Sequence, residues 1–268
     1  VGRKTKTIIG YAGGHTPGPT SFQIEFHGYA IAVAAFETLQ NSGGTLIGDR
    51  VLRDLDDATH VLLTGSSAGG VGARNLADRL RAMLRQTNPG VALRLVVDSA
   101  VKPIQAWVDD LVYSVATVPD PWSSLADYAQ AKHDRNLYWD AILDTSCLAA
   151  HPADPETCSN PDHLLYNHVT TPLFVRQALG EKLPDGADPV LWSDETRAHL
   201  DELSLLALTA EEGAAISVVP GAFGPATTTH TALTNTQRFS AELVGTLNFH
   251  DVLWNWLNGL PDGFVLAP

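Results

Sequence analysis

The stretch Val61-Leu62-Leu63-Thr64-Gly65-Ser66-Ser67-Ala68-Gly69-Gly70 passes from an apolar segment through Gly-x-Ser-x-Gly into a helical pattern. A serine on so tight a strand-to-helix turn has a strained backbone that pushes its hydroxyl out above the sheet. Glycines on either side keep neighbouring chain from colliding with it. Ser67 is that serine. The following helix aims unpaired N–H groups and the positive end of its dipole at the same point, so the amide of Ala68 is placed to receive a developing oxyanion. Ser66 lies one residue off the motif and supports the turn.

Outward from this turn, extended apolar runs alternate with helical ones. Upstream, residues 7–11 read as a strand, 22–39 as an amphipathic helix and 60–64 as a short buried strand. Downstream, the helix at 68–84 is followed by a β-branched strand at 91–97 and a helix at 103–114. The Pro-, Asp- and Trp-rich chain around 118–160 reads as an insertion. Strands at 172–178 and 216–219 and a helix at 195–208 then precede an edge strand at 238–243. The closing helix, 249–257, is capped by Asn248 and stopped by Gly259. This order predicts one α/β domain over residues 1–268, with a mostly parallel sheet, helices on both faces and a lid-like insertion over about 104–170.

The chain has 268 residues, of which 44% are hydrophobic and 18% charged, as a globular domain with a sizeable core requires. Its net charge of −13 repels phosphate backbones, and no basic patch offsets it, so nucleic acid is not an expected partner. No apolar stretch approaches the roughly 20 residues of a membrane span. Cys147 and Cys158 bracket the polar run His151-Pro152-Ala153-Asp154-Pro155, where a bridge would tie down a segment with little core of its own; the alternative is two free thiols. A bridge would imply an oxidising compartment. With no initiator Met, a processed chain, secreted or periplasmic, or a trimmed one is expected.

A serine nucleophile needs a base, and the base needs an acid that fixes its tautomer, in the chain order serine, acid, histidine. Of ten histidines, His230 follows a late strand in the irregular loop 221–230, where chain can deliver an imidazole to the top of the sheet. Asp98 ends the strand after the 68–84 helix and Glu181 follows the strand at 172–178, so both sit at carboxyl ends of strands and either carboxylate could reach the ring. His163 and His168 are five apart without a His-Glu-x-x-His pattern and make a poor zinc pair. No metal and no cofactor is expected. Trp107, Trp122, Trp139 and Trp192 lie where they could roof the site.

The chain resembles the pectin acetylesterase and Notum group of serine carboxylesterases. Gly65-Ser66-Ser67-Ala68-Gly69-Gly70 matches that group's nucleophile motif, and Phe26-His27-Gly28 before a helix is similar to its preceding segment. Val96-Val97-Asp98-Ser99-Ala100 resembles the strand end after the nucleophile. Cys147 and Cys158, followed by Thr171-Pro172-Leu173-Phe174-Val175, resemble its disulfide-linked approach to the acid-bearing strand. The resemblance implies an α/β-hydrolase-like fold and favours Glu181 over Asp98, with Glu where the group usually has Asp. The group's glycine-rich oxyanion loop lies upstream of the segment similar to Tyr11-Ala12-Gly13-Gly14-His15. Either Gly13 and Gly14 supply the missing donors, or the chain begins inside the fold without the N-terminal strands. The expected reaction is hydrolysis of small-molecule or polymer-linked carboxylic esters by Ser67, His230 and Glu181. The rival expectation is a non-catalytic binding module on the same fold.

Overall fold

The computed structural model describes residues 5–10, 20–25, 28–40, 43–101, 142–159, 161–181, 188–204 and 219–268. Its strands are β1 (Thr5–Gly10), β2 (Thr20–Glu25), β3 (Thr45–Ile47), β4 (Arg50–Leu52), β5 (His60–Ser66), β6 (Ala92–Asp98), β7 (Leu173–Arg176), β8 (Gly221–Gly224), β9 (Leu243–Val244), β10 (Leu247–Asn248) and β11 (Phe264–Leu266). Its helices are α1 (Gly28–Leu39), α2 (Ala68–Thr87), α3 (Thr145–Ala150), α4 (Pro161–Asn167), α5 (Pro189–Leu203), α6 (Thr236–Ala241) and α7 (Phe249–Leu257).

The centre is a five-stranded, wholly parallel sheet in the order β11-β8-β7-β6-β5. Consecutive residues of a strand point to opposite faces, so the burial of Leu95, Val96 and Val97 together shows that both faces are covered at β6. This is why the central strands read as continuous apolar runs rather than alternating ones. β5 is an edge of this sheet among the described residues, and its Leu62 is exposed. Two antiparallel pairs, β1 with β2 and β3 with β4, stand apart from it. On the far side, Phe249 of α7 stacks on Phe174 and Phe223 with ring centroids 5.9 and 5.8 Å apart, and Trp256 closes the same cluster.

The register places Ser66 opposite Asp98, Asp98 opposite Arg176 and Arg176 opposite Phe223, a single row across the carboxyl ends of four strands. Open parallel sheets gather their ligands beyond this edge. The loops after β5, β7 and β8 carry Ser67, Glu181 and His230 to it.

Several expectations are corrected. The helix predicted over 22–39 is β2 followed by α1, because Phe22 and Ile24 alternate with polar residues at period two up to Glu25. The edge strand predicted over 238–243 is α6, begun by the Asn235 side chain accepting from the Arg238 N–H, with only Leu243–Val244 extended. The helix expected from 195 starts at Pro189, where Asp188 caps it and proline suits the first turn, and it ends at Leu203. The strand leading to the His230 loop is β8, whose two glycines disguise it as loop. A Cβ at Gly221 would fall 2.4 Å from the Phe174 ring. The helix expected at 103–114, most of the strand expected at 216–219 and residues 104–141 of the insertion lie outside the described residues. The described remainder of the insertion joins the main core through Cys147, Cys158, Leu164 and Leu165.

Candidate active site

Ser67 sits between β5 and α2 with φ 54° and ψ −123°, a conformation that is costly for a residue with a side chain. What holds it is packing. A Cβ at Gly65 would fall 2.2 Å from the carbonyl oxygen of Gly69, and one at Gly70 would fall 2.8 Å from the Ala100 methyl, so both must be glycine. Gly69 is the second glycine of the motif, yet it has open space where a Cβ would stand. The expectation that the two motif glycines avoid collision therefore holds at Gly65, while Gly70 takes the part assigned to Gly69. Ser67 occupies the N-cap position, but its hydroxyl makes no capping bond. Its own N–H donates to the Asp98 carbonyl at 2.7 Å, fixing the turn against β6. The exposed Ala68 follows at the first helical position, where backbone N–H groups lack intrahelical acceptors.

Glu181 and His230 are brought into contact: Nδ1 of the ring donates to Oε1 at 2.5 Å. Glu181 is 1% exposed, and its second oxygen accepts from Nε2 of Gln177 at 2.9 Å. Of the two roles open to Trp192, roofing the site or plugging the core, the structure shows the second. The side chain is buried behind the acid, its indole N–H donating to the Glu181 carbonyl at 3.3 Å. Trp107, Trp122, Trp139, Gly13 and Gly14 lie outside the described residues. Among the described residues, no hydrogen bond joins the Ser67 hydroxyl to the His230 ring. Both follow strands whose carboxyl ends form this edge.

The other carboxylate, Asp98, is fully buried and meets five donors, none of them the His230 ring. Oδ2 accepts from Ser66 Oγ (3.0 Å) and the N–H groups of Ala232 (2.8 Å) and Leu233 (2.9 Å); Oδ1 accepts from Ser99 Oγ (3.2 Å) and Arg176 (3.3 Å). Arg176 is itself buried, donates to the Thr229 carbonyl and pairs with Glu242. Arg238 donates to the carbonyls of His230 and Thr231, and the Thr231 N–H donates to Ser99 Oγ. Thr231 is β-branched at φ 58°, a conformation that persists only when its surroundings over-determine it. Gln177, Arg176 and Arg238 escaped the sequence reading. A charged side chain in the last position of an otherwise apolar strand was the one available signal, and Arg176 supplies it.

Beside the elbow, an open apolar groove of about 560 Å³ lies between α1 and α2. Phe36, Leu76, Leu80 and Ile142 line it, and Thr64 and Gly69 stand at the elbow end. Away from this edge, the Cys147–Cys158 disulfide is formed. It gathers His151, His163 and His168, whose ring nitrogens lie, with Cys147 Sγ, within 4.8 Å of one another. Partial burial, with its neighbours His151 and His168, holds the His163 imidazole below the usual histidine range. The sequence offers His163 and His168 only as a pair five apart without a His-Glu-x-x-His pattern; the third ring, His151, comes from the disulfide loop. No helix among the described residues is long and apolar enough to cross a membrane.

Comparison with known proteins adds three findings. The family described as Pectinacetylesterase matches residues 10–183, well over half of the chain. Two curated Xenopus laevis proteins are similar. Palmitoleoyl-protein carboxylesterase notum2 is 27% identical over 190 residues, 70% of this chain and 38% of its own; notum1' is 25% identical over 211 residues, 76% and 41%. This chain thus aligns with about two fifths of the length of these relatives. The solved structure of the Wnt deacylase Notum from Drosophila superposes with a TM-score of 0.57 at 20% identity, covering 79% of this chain and 58% of that one, a likeness of fold.

Proposed function

The chain belongs to the pectinacetylesterase family, and from that membership we propose that it is a serine carboxylesterase working through an acyl-enzyme. The observation that carries the proposal is the Glu181–His230 contact at the sheet edge where Ser67 is held in its strained turn. In this reading Ser67 Oγ attacks the ester carbonyl while Nε2 of His230 takes the hydroxyl proton. Glu181 keeps the other ring proton on Nδ1 and stabilises the imidazolium. The Ala68 N–H receives the negative oxygen, with Gly13 and Gly14 as candidates for the remaining donors. Collapse of the tetrahedral intermediate breaks the bond to the alkoxy oxygen, which leaves as alcohol with the proton from His230. Water, deprotonated by the same ring, then releases the carboxylic acid and restores Ser67.

The substrate we propose is a neutral ester with an apolar acyl group. A net charge of −13 slows encounter with polyanions, and the groove at the elbow is apolar. The disulfide supports an oxidising location outside the cytoplasm. The test is reaction with a fluorophosphonate probe together with hydrolysis of a nitrophenyl ester. Labelling at Ser67, with both signals lost in Ser67→Ala, is the expected result. An unlabelled, folded protein would leave the binding-module reading in its place.

A further inference from the structure

We propose that His151, His163 and His168 form a binding site for one zinc ion, separate from the ester-cleaving residues. His151 closes α3, His163 lies within α4 and His168 follows its end, so three side chains from two short helices converge where the disulfide folds the chain back. Nε2 of His163 is 3.0 Å from Nε2 of His151 and 3.3 Å from Nε2 of His168. Nitrogens bound tetrahedrally to Zn²⁺ at roughly 2.0–2.1 Å are about 3.3 Å apart, so these rings already stand at ligand spacing.

The proton accounting points the same way. Ser146 donates its hydroxyl proton to Asp144 at 2.6 Å and is left to accept from Nδ1 of His168 at 3.3 Å. That bond puts the His168 proton on Nδ1 and turns the Nε2 lone pair into the cluster, the outer-shell arrangement by which metal-binding histidines are oriented. Nε2 of His163 faces two ring nitrogens with a single proton or a single lone pair, so it satisfies one neighbour at most. A cation accepts a lone pair from all three. Asn167 steadies the other edge of His163: its amide nitrogen donates to the His163 carbonyl at 2.9 Å and lies 3.3 Å from Nδ1. The Asp154 carboxylate adds negative charge within electrostatic reach of His151 and His163.

Imidazole is a ligand suited to zinc, and three of them with a half-buried open side leave the fourth position to water. Cys147 is close enough to complete the set but is spent in the disulfide, so it offers no thiolate. A bound ion would clamp the end of α3 to α4.

The test uses the 268-residue chain, stripped with a chelator and titrated with zinc chloride by calorimetry. One ion per chain is expected, with a rise in melting temperature and at least a hundredfold weaker binding in His163→Ala. Absence of saturable binding, or an affinity in His163→Ala and His151→Ala unchanged from that of the unmutated protein, overturns the proposal. Cobalt(II) added to the unmutated protein gives a reading that does not depend on the variants folding. Intense visible bands of a four-coordinate ion are expected, and the faint spectrum of the hydrated ion refutes the site.

Discussion

Asp98 stands opposite Ser66 across β5 and β6, and its Oδ2 accepts the Ser66 hydroxyl at 3.0 Å. The same oxygen accepts the N–H groups of Ala232 and Leu233, so one carboxylate joins the residue before Ser67 to the loop just beyond His230. It acts as a clamp between two of the proposed catalytic groups.

Replacing it should therefore damage stability first. Asp98→Ala strips Arg176 of one of two carboxylate partners in a fully buried setting and orphans two backbone N–H groups. Breaking such a pair costs about 3–5 kcal/mol. Urea unfolding should show a loss of that order, with ester hydrolysis falling as the His230 loop loosens. Unchanged stability with abolished turnover would instead mark Asp98 as the acid of the triad.

Glu181→Gln should do the reverse. Gln177 Nε2 points at Oε2 and selects the amide rotamer with its oxygen toward Gln177, which turns the new NH₂ toward His230 Nδ1. The ring must then carry its proton on Nε2, where it cannot act as a base toward serine. A comparable tautomer error in the serine-protease triad lowers kcat by about 10⁴. The expected result here is a kcat loss of roughly 10³–10⁴ with KM and melting temperature little altered. A loss under tenfold would remove Glu181 from the mechanism.

The elbow's glycines separate motif from sterics. Gly69→Ala should fold and gain about 0.5–1 kcal/mol from helix propensity, since nothing lies within 4 Å of the added methyl. Gly65→Ala would drive a methyl into the Gly69 carbonyl and should leave little folded protein. Thermal melts of the two variants check the contrast, and similar melting temperatures would show that the turn is less tightly packed than its geometry indicates.

How much of this was legible in the sequence follows from the range of the forces involved. The elbow was readable because strand, turn and helix signals coincide within ten residues, and the Asn248 cap and Gly259 stop of α7 are equally local. β8 is not: Gly221 is there because Phe174 and Trp256 press against its backbone, and Gly224 because Leu266 does, and those neighbours are remote in the chain. α6 resembles a strand in the sequence because fewer than two turns of helix show little periodicity, and its cue is the Asn235 cap. At the site, residue type and order point to His230, but Asp98 and Glu181 look alike because both sit at the carboxyl ends of strands. What separates them is that Asp98 meets Arg176 and two backbone N–H groups, while Glu181 meets the ring and Gln177.

The groove between α1 and α2 yields a prediction about acyl length. Each methylene buried there is worth about 0.8 kcal/mol, or roughly fourfold in kcat/KM, until the chain outruns the apolar wall. A nitrophenyl ester series should therefore rise from acetyl through butanoyl to octanoyl. Gly72 lines the groove and has no atom within 4 Å of where a Cβ would project, so Gly72→Leu fills space without displacing the core. It should lower kcat/KM for octanoyl about tenfold while leaving acetyl nearly unchanged, because only the longer chain reaches that far from Ser67. A series that peaks at acetyl, with Gly72→Leu indifferent to length, would place the acyl group elsewhere and make this groove irrelevant to specificity.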